Sequence, residues 1–66
     1  MELRHLRHFV AVVDSGNLSR AADRVFISQP ALTRSIKTLE DLLGAPLLER
    51  RPRGVVPTAA GQALYA

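Results

Sequence analysis

The chain contains no cysteine, which excludes a disulfide framework or a thiolate zinc site as its brace. It also lacks a long apolar run. The longest, Phe9 to Val13, falls far short of the roughly 20 residues that span a bilayer. The interleaved charges of MELRHLRHF are the wrong pattern for a secretory signal with its apolar stretch. A soluble, cytoplasmic protein with no membrane partner is expected. Catalytic constellations are missing too: there is no phosphate-cradling glycine loop, no paired-carboxylate motif, and no Ser, His and Asp set that must converge. His5 and His8, three apart, invite a metal reading, but no Cys or nearby carboxylate pair completes a ligand set. The expectation is neither an enzyme nor a holder of a metal or cofactor.

What is present is one small domain of 66 residues, 47% hydrophobic and 23% charged, with a formal net charge of +3. A chain this short buries only about 60% of the surface it would expose unfolded, so stability must come from packed helices. The positive balance favours polyanionic partners without naming one.

Along the chain, Leu3, Leu6, Phe9, Val10 and Val13 repeat at helical intervals, predicting a helix over about 2–14. DSGN stops it, with Gly16 free to take the left-handed conformation of a helix end. Ser19 is the expected N-cap of a short second helix whose Ala21 and Ala22 allow close backbone approach. Ser28 is the expected N-cap of a third, with Pro30 in its first turn, where the missing N–H is harmless. On that helix Leu32, Ile36, Leu39 and Leu43 form one narrow stripe, Thr33, Lys37, Pro30 and Arg34 project from the far side, and Gln29 lies on the border. Gly44 and Pro46 end it. PLLER and GVVP, joined by RPRG, read as a β-hairpin. Thr58 is the expected cap of a fourth helix, whose short stub with Leu64 and Tyr65 suggests a fragment of something longer.

Charge placement then says more than its sum. Between residues 24 and 38 there are three basic side chains, Arg24, Arg34 and Lys37, and no acid; Arg50, Arg51 and Arg53 follow on the hairpin. Glu40 and Asp41 sit toward the other end of the third helix. A helix entering a major groove by its first turns needs short polar groups for base edges, cations for phosphates, and acids kept away. Its capped N-terminus also leaves N–H groups and the positive end of the dipole for a phosphate. Thin hairpin arginines suit a minor groove or flanking backbone.

The AA of the second helix, SQPALTRSIKTLE, and LLER with a downstream TAAG stand in order and at characteristic spacing. Together they resemble the N-terminal DNA-binding domain of the LysR-type transcriptional regulators, over nearly the whole chain. The resemblance implies a mainly α fold of the winged helix-turn-helix class: three helices, a two-stranded β-hairpin wing, and the start of a fourth, linker helix. Residues 1–58 would form the DNA-binding domain, with the helix-turn-helix at about 18–38 and the wing at about 47–57, and residues 58–66 the truncated start of the linker or dimerisation helix. Gln29, Pro30, Thr33 and Lys37 are then base-edge candidates, and Ser19, Ser28, Arg34, Arg50, Arg51 and Arg53 phosphate or groove candidates. The implied partner is double-stranded DNA. The family resemblance also implies a cytoplasmic, nucleoid-associated protein, a homodimer in the full-length parent, a monomer or weak dimer for this fragment, and an effector-binding domain outside this sequence. Two departures stand out. Pro57 occupies a place where the family often has an aliphatic residue. The helix-turn-helix turn carries Phe26 and Ile27 where glycine is common, so a turn without positive φ is expected.

Each assignment has a plainer rival. Gln29, Thr33 and Arg34 can be solvated helix residues, and Lys37 can pair with Asp41 or Glu40 for only about 0.2–0.5 kcal/mol. Arg50 can pair with Glu49 beside it. Ser19 and Ser28 are caps first, and the arginine run can be a solvated loop. A protein-interaction or dimerisation winged-helix module is the alternative function.

Overall fold

Glycine at the left-handed position ends the first helix and makes room for the next. In the computed structural model, which describes residues 2–66, α1 spans Leu3–Ser15 and terminates at Gly16, φ 67°, whose N–H returns to the Val12 carbonyl. The chain then runs α2 (Leu18–Arg24), α3 (Gln29–Leu43), β1 (Leu48–Arg51), β2 (Gly54–Pro57) and α4 (Ala59–Tyr65). Among the described residues no helix is long and apolar enough to cross a membrane.

The apolar stripes meet at one core, but α1 departs from its expected stripe: Leu3 is 63% and Val10 38% exposed, and Val12, outside that stripe, is buried instead. Phe9 and Val12 of α1, Ala21 and Ala22 of α2, and Leu32, Ile36 and Leu39 of α3 close over one core, completed by Leu47 and Val55 at the base of the hairpin. Phe9, Leu32 and Leu39 are fully enclosed, each contributing about 1.5–3 kcal/mol through burial of apolar surface. The α3 stripe outlasts its partners. Leu43 is 41% exposed, contrary to its place on the predicted core stripe, and is not among the residues packed against the core.

Two local expectations are corrected. Ser19 is not the cap of α2: Asn17 is, its side-chain oxygen accepting from the Arg20 N–H at 3.0 Å, so the helix begins two residues earlier and Ser19 is released for another contact. The turn between α2 and α3 does use positive φ. Phe26 sits at φ 60°, the Ile27 N–H reaches back to the Ala22 carbonyl at 3.1 Å and the Phe26 N–H to that of Asp23 at 3.3 Å. That pair of bonds is the Schellman closure of a helix end, which demands a left-handed residue just past the cap whether or not it is glycine. Ile27, packed against the core, draws the chain into this closure.

The hairpin is antiparallel, with Leu48 opposite Pro57, Arg50 opposite Val55 and Arg51 opposite Gly54, so Pro52 and Arg53 form its turn. Pro57 falls at the strand end, where its lack of an N–H removes nothing. The hairpin is tied to the helices by backbone. The Val55 N–H donates to the Gly16 carbonyl at 3.1 Å, and Gly54, φ 142°, lies so close that a β-carbon would collide with that same oxygen.

Candidate nucleic-acid interface

Ser28 caps α3, its hydroxyl accepting the Ala31 N–H at 3.2 Å, while the Leu32 N–H goes to the Ser28 carbonyl at 3.0 Å. Pro30 has no N–H. The tip therefore presents one backbone donor without an acceptor among the described residues, that of Gln29, rather than the cluster expected from a bare helix end. The first turn holds no acid, so the positive end of the helix dipole is not neutralised from within.

All ten candidate side chains, Ser19, Ser28, Gln29, Pro30, Thr33, Arg34, Lys37, Arg50, Arg51 and Arg53, are exposed. Several converge. Thr33, Lys37 and Arg50 rim a cleft of about 250 Å³ between α3 and the hairpin, floored by Leu18, Ile36, Leu48 and Val55. Ser19, Gln29, Arg50 and Arg51 border a second concavity beside it. Arg50 and Val55 belong to both, so the tip of α3, the start of α2 and the hairpin form one continuous, cation-edged face. Arg34 lies elsewhere, on the opposite flank of α3, in a groove shared with Arg4, His5 and His8 of α1. Arg53 stands at the hairpin tip.

Hydrogen bonds refine these roles. The Ser19 hydroxyl donates to the side-chain oxygen of Gln29 at 3.0 Å, which fixes the amide and leaves its NH₂ free to donate outward. Lys37 does pair with Asp41, at 3.2 Å, but both side chains are about two-thirds exposed, so the pair is worth little and the amine remains available. On the hairpin Glu49 pairs with Arg51 at 2.7 Å, not with Arg50, because alternate residues of a strand share a face. Arg50 is left to the cleft.

Three side chains escaped sequence reasoning. Asn17 carried a signal, being a favoured cap residue. Glu40 carried none: its carboxylate accepts the Leu47 N–H at 2.7 Å and, more weakly, that of Leu48 at 3.4 Å. His8 Nδ1 and the Ser35 hydroxyl share a hydrogen bond of 2.7 Å across α1 and α3, and burial, then the neighbouring His5 and Arg4, hold its pKa below the ordinary 6.5. No group of three metal-ligating side chains occurs among the described residues.

Three helices, the second and third capped and joined by a tight turn, followed by a two-stranded hairpin, define a winged helix-turn-helix domain. Residues 3–62 match the family model of the bacterial regulatory helix-turn-helix proteins of the lysR family, and the chain belongs to that family. It is 52% identical over 65 residues to the HTH-type transcriptional regulator BenM of Acinetobacter baylyi, covering 98% of this chain and 21% of that protein. It is 55% identical over 62 residues to the regulator TfdT of Cupriavidus pinatubonensis, covering 94% of this chain and 27% of that protein. The chain thus spans only about a quarter of the length of these two relatives. Its backbone superposes on a crystal structure of a CbnR_DBD-DNA complex with a TM-score of 0.93 at 49% identity, over 98% of this chain and 75% of that one. A BenM_DBD/catB site 1 DNA complex gives a TM-score of 0.93 at 52% identity, over 98% and 72%.

Proposed function

We propose that this chain binds duplex DNA sequence-specifically, as the DNA-reading part of a bacterial transcriptional regulator. The observation that carries the reading is the single concave face on which the acid-free tip of α3 and the hairpin Arg50 converge. Solved relatives of nearly identical backbone, CbnR_DBD and BenM_DBD, are described as DNA complexes, which supports it. α3 enters the major groove with Gln29, Pro30, Thr33 and Lys37 at base edges. Ser19, Ser28 and Arg34 take flanking phosphates, and Arg50, Arg51 and Arg53 take the backbone or the adjoining minor groove. The Ser19 bond presents Gln29 as a donor at the groove floor, and Thr33 adds a hydroxyl that both donates and accepts. Residues 1–58 form this unit. Residues 58–66 begin the linker helix of a protein that works as a homodimer in the cytoplasm, at the nucleoid, while the 66-residue chain alone is a monomer or weak dimer. The role is binding rather than catalysis.

Counterion release supplies the test. Each phosphate neutralised contributes about 0.9 to the negative slope of log affinity against log salt on duplex DNA. Duplexes selected from a random pool, titrated at several salt concentrations, are expected to show a steep slope. Replacing Arg53 by Ala should flatten it by about one contact. An affinity indifferent to salt would refute the reading.

A further inference from the structure

We propose that Glu40 is a positioning residue that sets the angle of the wing against α3, and thereby whether both can engage one duplex; the proposal rests on the DNA-binding reading above. Glu40 is half-buried at the edge of the cleft that Thr33, Lys37 and Arg50 rim. Its Oε2 accepts the Leu47 and Leu48 N–H groups, at 2.7 and 3.4 Å, where the wing begins. Among the described residues no other hydrogen bond joins α3 to the hairpin. The wing's remaining tether goes to a different place, from Val55 to the Gly16 carbonyl. Without Glu40 the wing would follow the turn between α1 and α2, and its register on α3 would rest on apolar contact alone, which is non-directional.

The anchored residue also governs the next helix. Leu47 is 1% exposed; its carbonyl accepts the Thr58 N–H at 3.0 Å, and the Thr58 hydroxyl donates to the Pro46 carbonyl at 2.7 Å. Wing base and α4 start therefore share one backbone node, which the carboxylate of α3 holds. Lys37, one turn back, makes its ion pair with Asp41 and not with Glu40, and the Glu40 carboxylate is committed to the two amides.

The test compares the wild-type chain with Glu40→Ala and Glu40→Gln, each alone and combined with replacement of Arg50, Arg51 and Arg53 by Ala, in low-salt binding to a selected duplex. Amide hydrogen exchange is followed in parallel without DNA. Glu40→Ala should lose about tenfold in affinity, the equivalent of one hydrogen bond to a charged acceptor. Glu40→Gln, which keeps an acceptor oxygen, should recover most of that loss even if the Ala variant folds poorly. In the arginine-free wing the Glu40→Ala loss should largely vanish, because the wing then has nothing to place. The Leu47 and Leu48 amides should lose protection while those of Ile36 and Leu39 keep theirs. An undiminished loss in the arginine-free wing, full affinity in Glu40→Ala, or unchanged Leu47 and Leu48 protection would each overturn the proposal. Failure of the wild-type chain to bind any duplex would sink the DNA reading instead, and the exchange pattern would still decide whether Glu40 anchors the wing.

Discussion

Phe26 is an aromatic residue at φ 60° that is 92% exposed, so the fold holds it in a conformation it disfavours and gains almost no burial in return. Holding a non-glycine residue in the left-handed region costs about 1 kcal/mol or more. Asparagine visits that region far more readily, since its short polar side chain bonds locally. Phe26→Asn should therefore stabilise the domain by about 0.5–1 kcal/mol, which raises Tm by about 2–8 °C in a domain of this size. Phe26→Gly is the control. It reaches the same φ without clash but frees about 0.5–1 kcal/mol of unfolded-chain entropy, so its Tm should stay close to that of the wild type. Thermal unfolding followed by circular dichroism, with urea titrations to check for an unchanged m-value, measures both. If Asn lowers Tm, the ring is making a contact that stabilises the turn, and the Schellman account of why the fold tolerates Phe26 fails.

Two further outcomes follow from close contacts. Gly54→Ala would drive a β-carbon into the Gly16 carbonyl oxygen and should cost about 1–3 kcal/mol as the wing shifts to make room, with faster exchange of the Val55 amide; an unchanged urea midpoint would show that the contact yields freely. The depressed pKa of His8 means that the unfolded chain takes up this proton at a higher pH than the folded one. Its contribution is thus present above the ordinary value of 6.5 and is lost as pH falls from there through the folded value. Denaturation midpoints measured from about pH 7.5 downward should fall more steeply for the wild type than for His8→Gln, and equal slopes would remove His8 as a contributor.

Much of this molecule was legible from near-neighbour chemistry. Gly16 and Gly44 end helices, Ser28 and Thr58 cap them, and Leu32, Ile36 and Leu39 share a buried face. Each of these depends on residues within about one turn, so letters and spacing suffice. The acid-free front of α3 and the arginines of the hairpin were equally readable, since exposure of charge is the default.

Other features were settled only when the elements met. Asn17 displaced Ser19 as the cap and left Ser19 to hold Gln29, a partner ten residues away. Ile27, drawn into the core, made Phe26 close a helix with a positive φ that its side chain disfavours. Leu43 satisfied the helical period and still met solvent, because periodicity records a direction and not whether anything lies in that direction. Glu40, an acid by sequence, became an acceptor for two amides of the wing. Local pattern determined which segments became helix or strand and which faces were apolar; tertiary packing decided which polar groups found one another, because hydrogen bonds reward proximity in space and the chain's order does not encode that proximity.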